Sequence, residues 1–126
     1  MFGDAAAAAA DSLREEIGDT VLAVGWYDGR DENRTGSVYV SEEFEEKRSG
    51  KGPLETSLLA SLGSGAYRDI HDEELTSTIR VYETVVDVDV RVGPQRGIVI
   101  AVRAEGQHRL DGIVRLTRDA VRATGD

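Results

Sequence analysis

The chain has 126 residues, enough for one domain around a single core, and 40% of them are apolar and 31% charged. Its 24 acidic and 15 basic residues give a net charge of −9. That argues against a nucleic-acid module or an anionic membrane surface as partner, because both require a positive field. The absence of cysteine excludes a disulfide framework, a zinc–thiolate site and a thiol nucleophile, and no apolar run is long enough for a helical membrane span.

The opening MFGDAAAAAA has an acid where a signal peptide needs basic residues, and only a weakly apolar stretch behind it, so a cytoplasmic protein is expected. Ala5 to Ile17 is predicted as the first helix, with Asp4 as its N-cap, Leu13 and Ile17 on one stripe, and Gly18 as its stop. The six alanines read either as a close-packing helix face or as a frayed start within residues 1–10. Thr20 to Tyr27 is apolar on both faces and predicts a central strand. After an Asp28-Gly29 turn, Thr35 to Val40 returns beside it as a hairpin.

Ser41 caps a short acidic helix, Glu42 onward, which breaks at Ser49 to Gly52. Pro53 restarts it, Leu54, Leu58, Leu59 and Leu62 form its apolar stripe, and Gly63-Ser64-Gly65 ends it. Leu75 to Glu83 alternates, with Ser77, Ile79 and Val81 on one face and Thr78, Arg80 and Tyr82 on the other. Thr84 to Val92 alternates more cleanly: Val86, Val88, Val90 and Val92 inward, Asp87, Asp89 and Arg91 on the other face or at an exposed edge. Gly93-Pro94 turns the chain into Gly97 to Arg103, again apolar on both faces. A last helix runs from about Gly106 to Ala123, burying Leu110, Ile113, Val114, Thr117 and Val121.

The order is α-β-β-α-β-β-β-α. Placing the two doubly apolar strands at the centre gives an α+β fold: a five-stranded antiparallel sheet, order 2-1-5-4-3, with helices on both faces. In that order Leu75 to Glu83 is an edge strand, with no Pro or Gly and only Arg80 and Glu83 as charges, and is poorly protected against pairing.

Residues that could carry chemistry do not converge. His71 and His108 lack metal-ligand spacing, although His71 lies next to Asp72, Glu73 and Glu74. Gly63-Ser64-Gly65 lacks the lysine and context of a phosphate loop. Glu42, Glu43, Glu45 and Glu46 read as a solvated acidic face, without calcium-loop spacing. Arg115, Arg118 and Arg122 form the one basic stripe, which either docks an acidic partner or pairs with Asp111 and Asp119 along the helix. Trp26 reads either as sheet cover or as an interface anchor. No catalytic residue, cofactor or metal ligand is assigned, and an enzyme is not expected. The 13 arginines against 2 lysines, with abundant carboxylates, predict a halophilic, archaeal protein; a GC-rich genome gives the same bias.

The element order resembles that of the roadblock/LC7 family and its profilin-like relatives over essentially the whole chain. LREEIGDTVLAVGWYD (Leu13 to Asp28), SEEFEEK (Ser41 to Lys47) and ELTSTIRVYETVVDVDV (Glu74 to Val90) also resemble small acidic haloarchaeal proteins of unassigned function. The alanine tract and the Gly-rich break depart from that second pattern. The roadblock resemblance implies a non-enzymatic interaction or regulatory module that forms homodimers and docks a protein partner, such as a small GTPase or a signalling or motility component. The implied dimer is built on the third strand and the Pro53 to Leu62 helix. Its candidate interface is Leu75, Ser77, Thr78, Ile79, Arg80 and Val81 with Glu55, Leu58 and Leu62, where Glu55 would relieve two facing Arg80 side chains. Candidate docking residues are Arg115, Arg118, Arg122 and Trp26. The alternative is a PAS/GAF-like small-molecule sensor, which needs a polar-lined cavity.

Overall fold

The computed structural model describes residues 2–29, 34–47, 73, 76–105 and 110–125. Helix α1 (Phe2–Ile17) leads through a 3-10 turn at Gly18–Thr20 into β1 (Val21–Asp28). Strand β2 (Arg34–Val40) and the short α2 (Glu42–Lys47) follow. Then come β3 (Ser77–Val81), β4 (Val85–Gly93), β5 (Arg96–Arg103) and α3 (Leu110–Ala123). The five strands form one sheet in the order β2-β1-β5-β4-β3, and every neighbouring pair is antiparallel. This is the expected topology, and its centre is the expected pair. All of β1 except half-buried Trp26 and the whole interior of β5 are buried.

Helices α1 and α3 pack on one face, where the main core lies. Phe2, Ala5, Ala6, Ala9, Ala10 and Leu13 of α1 meet Val21 and Val24, Val86, Val88 and Val90 of β4, and Ile98, Ile100 and Val102 of β5. Ile113, Thr117, Ala120 and Val121 form the buried stripe of α3, while Leu110 and Val114 are half-buried. Thr117 satisfies its buried hydroxyl by donating to the Ile113 carbonyl, 2.8 Å away. Alternation in β4 buries Val86, Val88 and Val90 and leaves Val92 half-buried.

On the opposite face Leu22, Ala23 and Ala101 pack with Phe44 of α2 and Val85. Leu22 reaches this face because the β1–β5 register shifts between Val21 and Ala23. Ser41 caps α2 as expected: its Oγ accepts from the Phe44 backbone N–H at 3.2 Å. Glu43 anchors the helix to Arg103 of β5 at 2.7 Å.

Two expectations differ. Helix α1 starts at Phe2, so Asp4 lies within its first turn rather than at the N-cap. The extension has a tertiary cause: the Phe2 ring stands edge-on to Trp26 at 6.1 Å and lies under the Arg96 guanidinium at 5.1 Å. Within the tract, Ala5, Ala6, Ala9 and Ala10 pack against the core. Strand β3 is also shorter than the predicted Leu75 to Glu83, spanning Ser77–Val81. The chain reverses after it, with the Tyr82 N–H donating to the Val85 carbonyl at 2.8 Å. The restarted helix Pro53 to Leu62, its stop at Gly63 to Gly65, and the start of the last helix at Gly106 lie outside the described residues.

Candidate functional site: the β3 edge and the polar sheet face behind it

Strand β3 pairs only with β4, so its outer backbone edge has no neighbouring strand among the described residues. Ser77, Ile79 and Val81 stand opposite Val90, Val88 and Val86 on the α1/α3 side. There α3 no longer covers them: Ile79 is 42% exposed, Val81 72%, and the following Tyr82 49%. These are the large apolar side chains left exposed among the described residues. Thr78 and Arg80 point to the other face, opposite Asp89 and Asp87.

That other face carries a row of charge. Asp87 and Asp89 lie on the side predicted for them, because Val88 is fully buried on the core side and the register is the expected one. The expectation that they face outward is corrected: both are buried, Asp89 to 1% exposure. Strand β4 is flanked on both sides by β3 and β5, and the Tyr27 side chain reaches it from β1 to donate its hydroxyl to Asp89 Oδ1 at 2.9 Å. Tyr27 itself is fully buried.

The reach from β1 to β4 crosses β5 at Gly97. A Cβ there would lie 2.5 Å from the Tyr27 hydroxyl oxygen and 2.8 Å from the Val90 carbonyl oxygen. Only glycine leaves that path open. Burial pushes the Asp89 carboxyl up to about 6, against the downward pull of the Tyr27 hydrogen bond and of Arg80 and Arg91. Burial also raises Asp87, opposed by Arg80. One Arg80 Nη is buried without a hydrogen-bond partner, and the Arg80 charge acts on both carboxylates.

On the helix side, Arg118 of α3 fastens the start of β3. Its Nη2 donates to the Thr76 carbonyl at 2.8 Å and to the Arg91 carbonyl at 3.2 Å. The three arginines of the basic stripe therefore divide. Arg115 and Arg122 are exposed and stand 4.0 Å from Asp111 and 3.7 Å from Asp119, whereas Arg118 is engaged by backbone carbonyls. Trp26 faces α1, with its indole over Gly36, whose added Cβ would come within 2.6 Å of it. The candidates Leu75, Glu55, Leu58 and Leu62, like His71 and His108, lie outside the described residues.

The sequence identified the β3 edge but missed the Tyr27–Asp89 pair. The available signal was two aspartates in the middle of a strand next to the sheet centre, where Asp has poor propensity. Among the described residues no cluster of three His or carboxylate groups could hold a metal ion, and no helix is long and apolar enough to cross a membrane.

No protein-family model and no curated protein matches the chain. Among solved structures, the chain is similar to the crystal structure of MglC from Myxococcus xanthus, with 22% identity, 90% of this chain and 98% of that chain covered, and a TM-score of 0.49.

Proposed function

We propose that the protein is a non-enzymatic protein–protein interaction module that forms a two-fold homodimer through the β3 edge. The observation that carries this reading is the exposed apolar run Ile79, Val81 and Tyr82 on an edge strand without a covering neighbour among the described residues. An edge strand offers a row of backbone donors and acceptors, and natural edges are normally protected by charge, proline or a bulge. Here only Arg80 provides charge within the strand, and it points to the face behind it. Antiparallel pairing of two copies would satisfy the open edge and cover the apolar side chains in one step. The roadblock resemblance extends the reading to a docked protein partner, of the small-GTPase, signalling or motility class. The exposed cations Arg115 and Arg122 on α3 are its proposed contact, in a halophilic cytoplasm.

Light scattering in molar KCl tests the assembly. Twice the 13.7 kDa chain mass is expected at high micromolar concentration. Val81→Lys, at the most exposed position of the edge, is expected to be a folded monomer. A wild-type mass near that of one chain overturns the reading. Ile79→Pro, which removes a strand N–H, is expected to give a monomer or an unfolded chain.

A further inference from the structure

We propose that pairing through the β3 edge is gated by protonation: the carboxylates of Asp87 and Asp89 neutralise Arg80 behind the interface, and on acidification the two Arg80 side chains of a pair repel each other. The inference rests on the edge-pairing reading and adds its regulation.

The geometry starts from register. Arg80 stands directly across from Asp87, and Thr78 across from Asp89. Antiparallel pairing of two β3 strands centred on Ile79 puts Arg80 opposite the partner's Thr78. The two Arg80 residues then share a face as diagonal neighbours, about 7–8 Å apart at Cα and within reach of long side chains. Two guanidinium groups so placed need negative charge close by. The sequence pointed to Glu55 for this; the described residues supply it from the adjacent strand of the same chain, with Asp87 and Asp89 both acting on Arg80.

Charged and titratable groups reach Asp89 from three of the described strands. Strand β1 contributes Tyr27, β3 contributes Arg80, and β4 contributes Asp87 and Arg91. The β5 residues across from this row, Gly97, Val99 and Ala101, carry none. One row further on, Arg103 is occupied by Glu43 of α2. Arg80 is the member of this set that lies on the edge strand.

The sign follows from burial. Asp89 is already 1% exposed in the single chain, so pairing adds almost no desolvation to it. What pairing adds is a second cation. A second cation favours the ionised carboxylate and lowers its pKa in the pair below its value in the single chain. The single-chain value is about 6. Association is therefore strongest above pH 6 and weakens as pH falls through it.

The full chain is tested by sedimentation velocity between pH 5 and 7.5, at one fixed salt concentration, the lowest at which it stays folded. The wild-type dimer dissociation constant is expected to rise tenfold or more toward pH 5, about tenfold per protomer for each unit by which pairing lowers the carboxyl's pKa. Asp87→Asn combined with Asp89→Asn is expected to hold the weak constant at both ends. Arg80→Gln, with its fold confirmed by circular dichroism at each pH, is expected to dimerise at both ends without a step. A wild-type dimer whose constant is flat with pH overturns the gate alone. A step that persists unchanged in Arg80→Gln also overturns the gate. A monomer at every pH overturns edge pairing itself, and the gate with it.

Discussion

Replacing Gly97 with alanine tests whether the polar link between the sheet centre and the β3 side is structural. The new methyl would sit 2.5 Å from the Tyr27 hydroxyl oxygen, 2.8 Å from Cζ of the same ring, and 2.8 Å from the Val90 carbonyl oxygen. The last of these is backbone in a neighbouring strand and cannot rotate away. The chain must either spread β4 from β5 or expel the tyrosine ring. Overpacking of this kind costs about 1–3 kcal/mol. Losing a hydrogen bond to a buried carboxylate costs about 1.5–3 kcal/mol more. The expected loss is about 3–5 kcal/mol, a fall in melting temperature on the order of 10–20 °C for a chain of this size. Urea denaturation followed by circular dichroism at pH 8, where Asp89 is ionised, measures it. In a Tyr27→Phe background the same substitution should cost less, because the closest atom is gone and the two changes share one contact. A loss below about 1 kcal/mol, or strict additivity with Tyr27→Phe, refutes the claim that Gly97 makes room for the tyrosine. Gly36→Ala is the contrast: the three atoms nearest its Cβ all belong to the half-buried Trp26 ring, at 2.6–2.9 Å, and none is backbone. That ring can swing, so about 1 kcal/mol is expected.

Four further outcomes are expected. Asp89 is raised in the folded chain from 3.8 to about 6, so its stabilising contribution is complete below pH 4 and lost as pH rises through 6. In the monomeric Val81→Lys background the stability gap to the same chain carrying Asp89→Asn should therefore move in favour of Asp89 by roughly 2 kcal/mol between pH 7.5 and 4; a gap independent of pH refutes this. Arg118→Gln should cost about 1–2 kcal/mol and speed hydrogen exchange in β3 selectively, since it releases the Thr76 and Arg91 carbonyls; uniform exchange across the sheet would count against it. Gln95 holds a φ of 58° in the β4–β5 turn, so Gln95→Gly should stabilise by up to about 1 kcal/mol in chemical denaturation, and a destabilisation would refute the assigned turn. With a net charge of −9, thermal midpoints should rise from low to molar KCl, and a flat profile below 1 M removes the argument for a halophile.

Sheet order could be read from the sequence because burial on both faces leaves a one-residue signal. Thr20 to Tyr27 and Gly97 to Arg103 lack a polar phase, and only central strands tolerate that. The phase of β4 was equally clear, since four valines alternate with charge. Which side of β4 met solvent was not. An alternating Asp reads as surface in any local window, and the residue that partners Asp89 lies 62 positions earlier and crosses a third strand to reach it. The same limit applied to Asp4. Its capping role was locally reasonable, but Phe2 gains an aromatic partner on β1 and the helix continues past the cap. Arg118 looked like one of three equivalent stripe positions until the carbonyls of Thr76 and Arg91 came within its reach.

The alanine face of α1 has a consequence for how this chain can change over generations. Ala5, Ala6, Ala9 and Ala10 are buried between two larger anchors on the same helix, Phe2 and Leu13. A run of six identical residues is encoded by near-repeats, the kind of tract in which replication slippage adds or removes a codon. One added alanine would leave helix propensity untouched. It would nevertheless turn Phe2 by about 100° relative to Leu13 and displace it by about 1.5 Å along the axis. Either the aromatic ring leaves Trp26 or the leucine leaves the core. The number of alanines is thus set by a phase relation between two distant side chains, and a tract that looks free to drift in length is fixed to one value.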